Sequence, residues 1–248
     1  VPRFSTRITT LWSRLRSLEP AGLAIVIIAS GAAFVFLRLA SELLEGETFA
    51  LDRSMLLSLR TAGDLSVPIG PAWLAHAFTD ITSLGGTTVL SLITIIAVAY
   101  LLMIGRRSIA LLLLASVVGG WALSNGLKIG IGRQPPDIVP HLVEIGDLSF
   151  PSGHATVSAA TYFTLGALLS ELQTIRAAKV FFLVLAVLLT TLIGLSRIYL
   201  GVHYPSDVLG GWCGGAAWAL LCWLVARRGG VAAARSPGTR RDHDRNKF

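Results

Sequence analysis

Six apolar stretches, each close to twenty residues long, run through this 248-residue chain and leave it few folds to choose from. They cover about 21–40, 87–104, 108–127, 153–171, 178–196 and 206–226. About 20 apolar residues span a bilayer as helix, and helix is demanded because hydrocarbon offers the backbone no hydrogen-bond partners. Composition agrees: hydrophobic residues make up 53% of the chain and charged residues 14%, against roughly 25% charge in a soluble domain. A soluble protein of this length would lack the polar surface to cover its core. The expected fold class is all-α, a six-transmembrane-helix bundle.

The stretches differ in character. The second carries Thr87, Thr88, Ser91 and Thr94 and is partly polar. The last holds Gly210, Gly211, Gly214 and Gly215, which suits close helix packing. The first follows a basic segment, but it is longer than a signal-peptide core and lacks a small-x-small cleavage pattern, so a retained helix is expected.

Charge sets the orientation. With the N-terminus inside, 15 of the 21 Lys and Arg residues fall on the inner side, which puts both termini in the cytoplasm. The net charge of +7 does not point to nucleic acid. The basic residues sit at the chain ends and between apolar runs, not on one face among aromatic readers. The first outside segment, 41–86, is expected to carry a short interfacial helix around Leu51, Asp52, Arg53, Met55, Leu56 and Leu59, broken at Gly70-Pro71. Three parts follow: a basic cytoplasmic segment 1–20, one membrane domain 21–226, and a basic, disordered cytoplasmic tail 227–248. Cys213 and Cys222 lie nine residues apart, near opposite faces of one helix, so no disulfide is expected. No Cys/His grouping suggests a metal.

Three polar patches interrupt the apolar pattern, and alternating spans bring all three to the outer side. They are Lys128 to Asp137, Phe150 to His154, and Ser196 to Asp207. Lys128, Arg133 and Arg197 supply cations whose cost at the membrane edge a bound phosphate would offset through charge-assisted hydrogen bonds. Pro151-Ser152-Gly153 opens a helix, where free N–H groups favour an anion; Ser152 adds a hydroxyl and Gly153 admits close approach. Asp207 follows His203 by four residues, within reach of the imidazole N–H, which leaves the other ring nitrogen free to attack phosphorus. His154 is placed to protonate the leaving oxygen and then to activate water.

The last patch fits S-R-x5-H-x3-D at Ser196, Arg197, His203 and Asp207, and the middle one fits P-S-G-H at Pro151 to His154. Together they resemble the type 2 phosphatidic acid phosphatase family, related to bacterial acid phosphatases and vanadium haloperoxidases, over roughly residues 85–225. The resemblance implies a six-helix membrane enzyme that needs no metal or other cofactor and works through a phosphohistidine. His203 would be the nucleophile, Asp207 its partner, His154 the acid/base, and Arg197, Ser152 and Gly153 phosphate ligands. The family's first signature, K-x6-R-P, would need arginine at position 135; this chain has Pro135, and Arg133 is expected to replace it.

The expected function is a lipid phosphate phosphatase acting on a phosphomonoester or diphosphate lipid. Candidate substrates are undecaprenyl diphosphate, phosphatidic acid, phosphatidylglycerol phosphate and lipid A phosphates. A phosphotransferase using the same intermediate, or a non-catalytic lipid-binding relative, are the alternatives. The expected partners are the lipid phosphate and membrane lipids, and the expected place is a bacterial inner membrane with a periplasmic site.

Overall fold

The structure, a computed structural model, describes residues 20–45, 50–144 and 146–228. The expected basic N-terminal segment, and the tail after Arg228, lie outside them. Eight helices carry the described chain: α1 Pro20–Leu44, α2 Ala50–Ser58, α3 Ala72–Ser83, α4 Thr87–Met103, α5 Arg107–Ile131, α6 Gly153–Glu171, α7 Arg176–Tyr199 and α8 Pro205–Arg228. A helix stands over each of the six apolar stretches. An antiparallel hairpin, β1 Arg60–Thr61 with β2 Asp64–Pro68, follows α2; the hairpin and α3 are the elements the apolar pattern did not announce.

Four helices are individually long and apolar enough to cross a bilayer: Val26–Leu44, Arg107–Ile131, Arg176–Tyr199 and Pro205–Arg227. Helices α3 and α4 meet that standard only as a pair, bent by 43° at Leu84–Gly86. Helix α6 does not meet it, and its surroundings explain why. It packs against α5, α7 and α8 at the centre of the bundle, and its buried side is built from Ala155, Thr156, Ser158, Ala159, Ala160, Thr161 and Thr164. Facing protein instead of lipid, it carries small polar residues. These let backbones approach and bond between helices: the Ser116 and Thr164 hydroxyls are 2.7 Å apart, and Ser116 donates to the Ala160 carbonyl at 3.1 Å. The outward faces are apolar, as with Ile95, Ile96, Leu111, Val184 and Leu221.

Because consecutive long helices run in opposite directions, the 128–154 segment and the 197–207 turn collect at one end. Small clusters pin them there. Leu56, Ala155, Ile198 and Val208 join α2, α6, α7 and α8 under the site, and Tyr162 of α6 donates to the Leu84 carbonyl at the α3–α4 bend, 2.8 Å away.

Candidate active site

Each site residue is delivered by a helix end. Lys128 sits in the last turn of α5, where the helix dipole favours a cation. The helix stops at Gly132, whose φ of 69° and ψ of 15° suit glycine, and the Gly132 N–H closes the turn on the Lys128 carbonyl at 2.8 Å. Arg197 lies in the last turn of α7, His154 in the first turn of α6, and His203 in the turn before α8.

These four side chains and Gly153 line one cavity of roughly 510 Å³. Its polar wall is Lys128, Arg197, His154, His203, Ser124 and Asp147; its apolar wall includes Leu90, Val117, Val118 and Trp121 from α4 and α5. Val118 and Trp121 are more than half exposed, so the apolar wall is accessible from outside the protein. Arg197 is buried, donates from one terminal nitrogen to the Thr82 hydroxyl at 3.2 Å, and keeps Nε without a partner. The Ser124 hydroxyl is likewise buried and unpartnered. Orphaned donors cost free energy unless something answers them, and an anion in the cavity would answer both. Gly153 sits beside the Lys128 ammonium: a Cβ there would stand 3.9 Å from Nζ, at ordinary van der Waals contact.

His203 is buried, with Nδ1 turned to the protein. Nδ1 lies 3.7 Å from Asp207 Oδ2 and 3.3 Å from the Ser149 hydroxyl. Ser149 donates to the same carboxylate oxygen at 2.5 Å, and the Tyr204 N–H donates to it at 2.8 Å. Asp207 is wholly buried and held on every side. Burial disfavours the imidazolium and lowers the pKa of His203, while the Asp207 carboxylate works in the opposite direction.

Two expected phosphate ligands stand elsewhere. Arg133 does not reach the cavity wall. Its guanidinium donates to Asp207 Oδ1 at 2.5 Å, to the Ser206 hydroxyl at 2.7 Å and to Asp52 Oδ2 at 2.8 Å, and stacks over the Tyr204 ring at 4.3 Å. The reason is electrostatic: two buried carboxylates behind His203 need a cation, and a planar fork bridges both. In this arrangement Arg133 is committed to Asp52 and Asp207 and is not on the cavity wall, where the arginine missing at Pro135 was expected to be replaced. Ser152 caps α6 with its hydroxyl buried and unpartnered, and its N–H donates to the Asp207 carbonyl at 3.0 Å; it stands behind Gly153, not on the wall.

Sequence reasoning missed Asp52, Ser149, Thr82 and Asp147. Asp52 read as the polar side of an interfacial helix, yet it is buried and accepts from Arg133 and from the Ser206 N–H, 2.9 Å away. Nothing local signals a pairing 81 residues apart. Ser149 had a weak signal: it lies two residues before the P-S-G-H motif.

The family model described as "PAP2 superfamily" matches residues 109–230. Phosphatidylglycerophosphatase B of Bacillus subtilis is 35% identical over 161 residues, covering 64% of this chain and 77% of the relative. Lipid A 1-phosphatase of Rhizobium johnstonii is 35% identical over 131 residues, 49% of this chain and 50% of the relative. Among solved structures, the transmembrane PAP2 type phosphatidylglycerolphosphate phosphatase from Bacillus subtilis superposes with a TM-score of 0.72 at 28% identity, covering 81% of this chain and 96% of that one. Aquifex aeolicus LpxE gives 0.55 at 26% identity, covering 72% and 98%. With its signatures gathered around one cavity and its helices facing lipid, the chain is an integral membrane protein of the PAP2 superfamily.

Proposed function

We propose that this protein hydrolyses a lipid phosphomonoester or the end phosphate of a diphosphate lipid, through a phosphohistidine on His203. We also read the fold as one catalytic domain of six spans, with α2 at the interface and the site on the non-cytoplasmic side. One observation carries the reading: a single cavity joins two cations and two histidines to an exposed apolar wall. That pairing suits a charged head on an apolar tail.

In the first step, His203 attacks phosphorus through the ring nitrogen opposite Nδ1, while Asp207 and Ser149 hold Nδ1. The P–O bond to the lipid breaks, and His154 gives its proton to the leaving oxygen. In the second, His154 takes a proton from water as the water oxygen attacks phosphorus. The N–P bond breaks, releasing inorganic phosphate and free His203. Lys128 and Arg197 neutralise the non-bridging oxygens, the main task in phosphoryl transfer.

The test is phosphate release from phosphatidylglycerol phosphate, lipid A 1-phosphate, phosphatidic acid and undecaprenyl diphosphate, with and without a chelator. Release from at least one, unchanged by chelation, is expected; release from none overturns the reading.

Two further results follow from the geometry. Pro135 leaves the cavity one cation short of the family signature, so Pro135→Arg should raise kcat/KM about tenfold or more, the scale of one charge-assisted hydrogen bond to phosphate. Gly85 borders the His154 ring, and a Cβ there would collide with Ile193 and stand 3.4 Å from the imidazole. Gly85→Val should displace His154 and lower kcat about a hundredfold, the cost of a small misplacement at the reacting centre. A kcat equal to that of the parent would show that the ring does not depend on this contact.

A further inference from the structure

Lys128 is buried, and its ammonium already has an anion. Nζ donates to Asp147 Oδ2 at 2.5 Å and to the Leu148 carbonyl at 2.6 Å. The pair is lopsided: the Lys128 side chain is 6% exposed and that of Asp147 61%. Asp147 belongs to the irregular stretch between α5 and α6, and lines the same cavity as Arg197, His154 and His203. Partial burial works against its ionisation, but the Lys128 ammonium and the Leu148 N–H hold its pKa below the usual carboxylate value. The carboxylate also lies near enough to His203 for the two to interact.

A phosphoryl oxygen reaching Lys128 must therefore share or displace Asp147. Counting charges at the polar wall, Lys128 and Arg197 bring two positives and Asp147 one negative; Glu144, also on the wall, adds another at the rim. Pro135 supplies no compensating cation. We infer that Asp147 is a specificity-determining residue, an internal counter-anion on Lys128 that tunes the cavity toward phosphoryl groups of low net charge. This inference rests on the phosphatase reading of the same cavity. The physical ground is Coulombic: a fixed carboxylate repels a dianion about twice as strongly as a monoanion in the same place. A phosphomonoester is thereby taken preferentially in its singly charged form. A head with a second phosphate beside the first is disfavoured.

The test is binding of two tetrahedral anions, neither of which changes charge near neutral pH: sulfate, a dianion, and perchlorate, a monoanion. Each is titrated calorimetrically into the full-length, detergent-solubilised protein. Asp147→Asn should tighten sulfate about tenfold and perchlorate only about threefold, since the gain in free energy scales with ligand charge. Asp147→Glu, which keeps the charge, should bind both as the parent does. Equal gains for the two anions, no gain, or no binding to any of the three proteins would overturn the inference. The readout involves no turnover, so its failure is distinguishable from that of the phosphatase reading. Charge-graded binding by a protein that releases no phosphate from any lipid would sink that reading and leave the role of Asp147 intact.

Discussion

Replacing His203 by alanine is expected to reduce phosphate release from the best lipid substrate by roughly 10⁴-fold or more, with little change in folding. Losing a nucleophile removes the whole covalent route, and such losses elsewhere reach about 10⁶ in kcat. The residual rate would come from Lys128 and Arg197, which still hold the phosphoryl group. KM should accordingly change far less than kcat. Trapping of radiolabelled phosphate on the protein after acid-free quenching is expected with the parent and should vanish in the variant. A variant that keeps its label and most of its rate would place the nucleophile elsewhere. On the same reading, His203 should govern the acid side of the pH profile. Attack needs neutral imidazole, and burial lowers the His203 pKa beneath its ordinary 6.5. A lowered pKa keeps the base neutral to more acid pH, so the fall in kcat/KM from His203 ionisation should lie below pH 6.5.

The second large effect concerns stability. Arg133→Ala should lower the unfolding free energy by about 3–5 kcal/mol, because it strands two buried carboxylates, Asp52 and Asp207, without their shared cation. Arg133→Lys should recover only part of this, since one ammonium cannot reproduce a fork bonded to two acids and a hydroxyl. Pairing Arg133→Met with Asp52→Asn should cost less than the two changes summed, because one deletion removes the charge that the other leaves exposed. Thermal unfolding in detergent measures all of these. Strict additivity, or an Arg133→Ala protein that melts with the parent, would show that Arg133 does not bridge the acids. A loss of kcat beyond the loss of folded protein would mark Arg133 as a positioning residue acting on His203 through Asp207.

Much of this molecule is written locally. The helices over the apolar stretches follow from hydrophobic run length, and α4 is short because its polar start at Thr87 and the bend at Gly85-Gly86 interrupt the pattern. Lys128, His154, Arg197 and His203 were legible because each stands in a short signature at a helix end, where the chain must place it. Their meeting at one cavity needed only alternating helices. Asp52 was not legible, since its partner Arg133 is supplied by a distant helix end and a buried ion pair leaves no periodicity in either segment. Asp147, 19 residues from its partner Lys128, carries no local signal either.

Periodicity and motif therefore determined the membrane helices and the four polar side chains around the cavity, because both are properties of contiguous residues. Which cation faces the cavity and which stands behind it was decided only by packing. Arg133 and Lys128 lie five residues apart, yet the left-handed turn at Gly132 sends one to the buried acids and keeps the other on the wall. That choice depends on where Asp52 and Asp207 come to rest, and only the folded bundle sets their positions.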